Sequence, residues 1–212
     1  MKKLFLATLL LISMQSFAQE GAKQVFESPK MKEIISQHKI VAILPFTTGI
    51  SYKRLPKNFD PETNRQDEKK LSKDLQNEMF TFLLRKRENY TVDFQDPDKT
   101  NTILRKAGVF DKIDETGIDS LAKLLHVDAI IKSSYSYEKT ASEGAAIAKT
   151  LLFGGLGSKT GSGQLVMQIK NGSDGELLWR FSKAMDDGVF SSPSQLMERM
   201  MRKVSRNFPY EK

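Results

Sequence analysis

Lys2 and Lys3 stand ahead of an apolar run at 4–13 (LFLATLLLIS) that only Thr8 and Ser13 interrupt. Ser16 and Ala18 then put small residues where a signal peptidase reads. The run falls short of the roughly 20 apolar residues that span a bilayer. The pattern predicts a secretory signal peptide over 1–18, cleaved between Ala18 and Gln19, which leaves 194 of the 212 residues once 18 are removed. An exported chain meets an oxidising compartment, yet this one has no cysteine. Its fold must therefore be held by a packed core and not by disulfides. A lipid anchor would need a cysteine directly after the cleavage site, so an unanchored periplasmic protein is expected.

The remaining composition narrows the function classes. Losing Lys2 and Lys3 with no acid takes the net charge from +7 to +5. Acids and bases alternate along the surface stretches, as in DPETNRQDEKKLSKD, and no basic stripe carries interleaved aromatics. Nucleic acid is not an expected partner. Two histidines, His38 and His126, and no thiolate are too few for a histidine or cysteine metal site, and no cofactor is expected.

Periodicity places the elements. Residues 19–39 are polar with a weak helical pattern at Met31, Ile34 and Ile35, and Pro29 suits a first helical turn. KIVAILPF at 39–46 reads as a buried strand closed by Pro45. Residues 47–64 read as a long loop, and Leu71, Leu75, Met79 and Leu83 predict a long amphipathic helix over 66–87. A strand at 89–95, short helices over 96–104 and 114–126, and strands at 128–137, 164–170 and 176–183 follow, the last two joined by a compact turn at 171–175. Leu196, Met200 and Val204 align on a final helix over 192–208. This order predicts an α+β fold, an α/β sandwich whose mixed sheet carries the long helix and the C-terminal helix. Trp179, Leu178, Val166, Ile130 and Ile43 are the expected core.

Candidate chemistry is sparse. Gly154 to Thr160 resembles a phosphate-binding loop, but Ser158 breaks its spacing and a strand follows where a helix is required. Asp174, Glu176, Asp186 and Asp187 offer carboxylates, yet they fall in segments that read as turns, where aspartate bonds its own backbone. His126 ends an apolar helix and suits its C-terminal cap. No serine has a histidine and an acid in a recognisable pattern. No enzyme activity is expected.

The unusual stretch is the insertion at 138–163. It joins two strands that a tight turn could connect, and its middle is apolar at Ile147, Leu151, Leu152, Phe153 and Leu156. Apolar residues in a long surface loop point to contact with a partner, a second copy or a membrane surface.

Three local matches resemble a family of Gram-negative envelope domains. They are KIVAILPF at 39–46, IDSLAKLLHVDAIIKSSY at 118–135 and DGELLW at 174–179. The family comprises the periplasmic domains of CsgG and LpoB and the N-terminal domain of TolB. The resemblance covers 39–208 and extends to one domain over 39–212 behind a polar segment at 19–38. It implies a non-catalytic protein that binds an envelope partner, with an outer-membrane secretion-pore subunit or a periplasmic hydrolase as alternatives. The segment around 144–157 lacks the in-out alternation that a membrane hairpin requires.

Overall fold

The computed structural model describes residues 23–139, 159–188 and 192–212, with backbone only at 159–160 and 186–188. It comprises β1 (Gln24–Glu27), α1 (Met31–Ile35), β2 (Ile40–Ile43), β3 (Thr47–Tyr52), α2 (Pro61–Arg85), β4 (Asp93–Phe94), α3 (Pro97–Lys106), α4 (Ile118–Leu125), β5 (Ala129–Lys139), β6 (Lys159–Asn171), β7 (Leu177–Gly188) and α5 (Pro193–Val204). Seven strands form one mixed sheet in the order β1-β7-β6-β5-β2-β4, and β3 also pairs with β5. β2 and β3 share one side of β5, both parallel to it: β2 lies against 129–131 and β3 against 134–139. Pro45, which lacks an N–H, sits between them.

Burial explains these sequences. Val41, Ala42 and Ile43 of β2 and Ala129, Ile130 and Ile131 of β5 are all fully buried, because helices cover both faces there. On the first face, α2 and α5 pack Leu75, Met79, Met200 and Val204 against Ile43, Ile131, Met167 and Trp179. On the second, α3 and α4 pack Leu104, Leu121 and Leu125 against Ala42, Leu44 and Ile130. Beyond Ile131, β5 switches to an alternation of buried and more exposed residues. The helical cover of the second face stops there.

Caps fix the helix starts. Asp60, Asp96 and Ser192 each accept backbone N–H bonds from the first turn of α2, α3 and α5, and a proline follows each of them. At the other end of α4, His126 adopts φ 55° as the left-handed cap that the sequence suggested.

Several boundaries differ from expectation. The expected loop at 47–64 shortens to 53–60: the rest holds β3 and the start of α2, whose Asp60-Pro61 signal lies inside the stretch read as irregular. The segment before 39 contributes a strand, β1, as well as α1, and Pro29 precedes that helix instead of opening it. The strand at 89–95 shrinks to Asp93–Phe94, because Thr91 bonds the Tyr210 carbonyl and Tyr90 pairs with Glu211. Four of the five expected core residues are fully buried, whereas Val166 is half-buried on the second face.

Candidate functional site: an open sheet face

α3 and α4, at 10 and 8 residues, are about 15 and 12 Å long. β5 and β6, at 11 and 13 residues, run about 36 and 43 Å. Among the described residues, two short helices therefore leave much of the second face uncovered. Strand register sets its residues in rows. Gly49, Ser136, Gln164 and Ala184 form one row, and Thr47, Ser134, Val166, Ser182 and Gln24 form the next. Lys132, Gln168, Arg180 and Phe26 make a third. Gln164 Nε2 donates to Ser182 Oγ at 2.8 Å, and Lys132 pairs with Asp114 at 2.7 Å. The result is a surface of hydroxyls, amides and small side chains with the cations Lys132 and Arg180, in which Ser182 is buried and Phe26, 47% exposed, stands at the margin.

The packed face explains the glycines of β6. Tyr135 and Tyr137 stack with ring centroids 6.4 Å apart, and a Cβ on Gly161 or Gly163 would collide with these rings. The two tyrosines fill the space that side chains would otherwise take.

One end of the sheet gathers further candidate contacts. Tyr52 and Phe59 meet edge to face at 5.4 Å, and Lys139 Nζ lies 5.3 Å from the Tyr52 ring centroid. Leu55, 66% exposed, projects from a loop that also carries Lys53, Arg54 and Lys57. β5 and β6 pair as far as Lys139 and Gly161, so the expected insertion at 138–163 narrows to 140–158. Its apolar residues Ile147, Leu151, Leu152, Phe153 and Leu156 lie outside the described residues, as do Ala18 and Gln19 of the cleavage site. The connection leaves and rejoins the sheet at this end.

The titratable groups serve structure. Asp174 Oδ1 accepts from Asn171 Nδ2 and the Glu176 N–H, and Glu176 accepts from Ser28 Oγ. Asp186 and Asp187 lie on strand β7, not in a turn, in register with Ser162 and Gly161. Lys159 and Thr160 begin a strand, the wrong element for a phosphate loop. Among the described residues, no three of His, Cys, Asp and Glu converge as metal ligands, and no helix is long and apolar enough to cross a membrane.

His38 is buried in a defined network. Its Nδ1 is 2.9 Å from Tyr210 Oη, and its Nε2 is 3.4 Å from Asn171 Oδ1. Asn171 Nδ2 donates to Ser173 Oγ and Asp174 Oδ1, which orients the amide oxygen toward the imidazole. Nε2 therefore carries the proton and Nδ1 accepts from Tyr210. Burial holds the imidazole below its ordinary pKa, partly offset by the bond to Asn171 and the Asp128 charge. Burial likewise pushes the Tyr210 phenol up. The network ties the chain's end to the entry of β2.

Two shallow hollows flank the exposed Arg87–Asp93 ion pair. One, about 170 Å³, is lined by Phe80, Leu83, Leu84 and Phe94. In the other, Lys212 already donates to the Glu88 carbonyl. Neither gathers convergent reactive groups.

No family model and no curated protein matches the chain. Solved structures give distant likenesses. A lipoprotein, GNA1162, from Neisseria meningitidis aligns with TM-score 0.49 at 12% identity over 79% of this chain and 96% of that one. The PelC dodecamer from Paraburkholderia phytofirmans aligns at 0.44 and 8%, covering 91% of this chain and 100% of that one. The LpoB C-terminal domain from Salmonella enterica gives 0.36 and 12%, over 74% and 96%. LpoB is one of the three proteins that the sequence resembles. At these scores the likenesses say nothing of what the chain binds.

Proposed function

We propose that this chain is a non-catalytic binding or assembly protein of the bacterial envelope, exported to the periplasm and working through protein–protein contacts. The observation that supports it is the half-covered sheet. Among the described residues a long face is left without helices, and its serines, Gly49 and Ala184 lose little rotamer freedom when a partner covers them. Phe26 and Arg180 at its margin are of the types that carry binding energy in interfaces. The export signal and the resemblance to CsgG, LpoB and TolB domains point the same way. In this reading the connection 140–158 adds apolar contact at the end of the same face.

Capture from an envelope extract tests the proposal. The tagged chain is expected to retain specific envelope proteins. The Ser136→Arg/Gln164→Arg variant, which sets two long cations into the open rows, should lose them with its thermal melt unchanged. Glu62→Ala, an exposed control on α2, should capture as the parent does. Equal capture by the arginine variant would remove this face from the function. Substrate turnover abolished by Asp186→Ala or Asp187→Ala would replace binding with hydrolysis.

A further inference from the structure

Among the described residues, β3, β4 and β1 each present an outer edge, as does β7 beyond Ser182, where β1 ends. Along β3, Ile50 donates its N–H to Glu68 Oε1 and accepts from Asn64 Nδ2, while Ser72 bonds both backbone groups of Phe46, so α2 seals that side. Just before β4, Thr91 N–H goes to the Tyr210 carbonyl and Lys212 N–H to the Asn89 carbonyl, so residues 210–212 cover the approach to the second. The third edge is β1. All four of its residues are exposed, with Val25 at 37% and Phe26 at 47%. Ser28 donates to the Leu178 carbonyl, so Gln24, Phe26 and Ser28 bond toward β7. The alternation of an antiparallel ladder turns the N–H and C=O of Val25 and Glu27 outward, and no described residue meets them.

We propose that this edge pairs with the same edge of a second copy, antiparallel about a two-fold axis at Val25. That axis sets Val25 against Val25 of the second copy and Lys23 against Glu27 of the second copy, twice by symmetry. Each pair joins residues whose backbone groups already point outward, so the ladder closes without a shift. The charges match in this register, Lys23 to Glu27 in both directions, with Lys23 Nζ exchanging its exposed bond to Asn207 Oδ1 for the carboxylate. An axis at Phe26 also aligns outward groups, but it sets Val25 against Glu27 and Lys23 against Pro29, which has no N–H to give. An axis between two residues sets outward groups against inward ones. Bare edges are the usual place for strand addition, and natural guards are charges that go unmatched on approach. Here the approaching copy matches them. The two seven-stranded sheets become one, and Gln24 of one copy lies beside Phe26 of the other at the join of their open faces. The partner is a second copy of this chain, through the sheet edge, whatever the open face binds.

A contact of one short strand from each copy falls at the small end of specific interfaces, so the dimer is weak and concentration-dependent. Sedimentation equilibrium of the purified protein, from micromolar to near-millimolar, should show the mass rising toward two copies. Val25→Pro removes only an outward N–H and should stay folded and monomeric throughout. Lys23→Glu and Glu27→Lys each turn two attractive pairs into repulsive ones, weakening the dimer roughly tenfold. The double variant Lys23→Glu/Glu27→Lys restores opposite charges and should dimerise as the parent does. A parent that is monomeric at every concentration, a dimer indifferent to Val25→Pro, or a double variant no better than the singles would each overturn the pairing.

Discussion

At the residue scale, His38 shows what a buried polar group costs and fixes. The fold holds its imidazole neutral, with Nε2–H on Asn171 and Nδ1 receiving the Tyr210 hydroxyl. Burial depresses its pKa from an ordinary value of 6.5. As pH falls, the unfolded chain therefore takes up the proton first. The stability that His38 contributes is complete above pH 6.5 and is lost as pH drops through the depressed folded value. Melting curves between about pH 7.5 and pH 5 should fall for the parent. They should fall less steeply for His38→Gln, which keeps an amide in the network but does not titrate there. Equal slopes would place the pH dependence elsewhere. In the sequence His38 is only one of two histidines, too few for a metal site. The partners that define it, Asn171 and Tyr210, are 133 and 172 residues away.

At the element scale, the fold legible in the sequence is the part that packing dictates on both faces. β2 and the start of β5 are continuous apolar runs, and the α2 and α5 stripes recur at helical spacing, so strand and helix follow directly. β3 and β1 escaped because their sequences, TTGISY and QVFE, are exposed or half-buried and carry no buried stripe. The open face escaped for a related reason. Ser134, Ser136 and Gln164 read as the solvent side of ordinary strands, and the lengths of α3 and α4 decide that no described helix covers them. What makes β3 a strand is tertiary: β5 on one side and polar side chains of α2 on the other. Glu68 is central there, accepting from both Ile50 N–H at 2.7 Å and Asn64 Nδ2 at 3.2 Å. Glu68→Ala leaves the Ile50 amide without its acceptor and should cost about 1–3 kcal/mol. Hydrogen exchange should quicken at Ile50 while the β5–β6 ladder stays protected. Unchanged exchange at Ile50 would mean that the helix does not seal this edge.

At the scale of the whole molecule, the two layers of helices are unequal, and the longest strands run out beyond the shorter layer. The end they reach carries Tyr52, Leu55, Phe59 and Lys139, and from it the chain departs into 140–158 and returns. Sequence reading singled out that segment for its apolar centre, and its flanks are strands that pair without it as far as Lys139 and Gly161. Leu151, Leu152, Phe153 and Leu156 would each forfeit roughly 1.5–3 kcal/mol if left in water, a loss that a partner's surface recovers. If the four apolar residues meet a partner, as proposed, replacing them with serine should leave the far-ultraviolet spectrum and the melting temperature close to those of the parent. Capture of envelope proteins should fall to background in the same variant. A large drop in melting temperature would assign the four side chains to the core instead. Full capture by a well-folded variant would leave the open face, without this segment, as the whole of the binding surface.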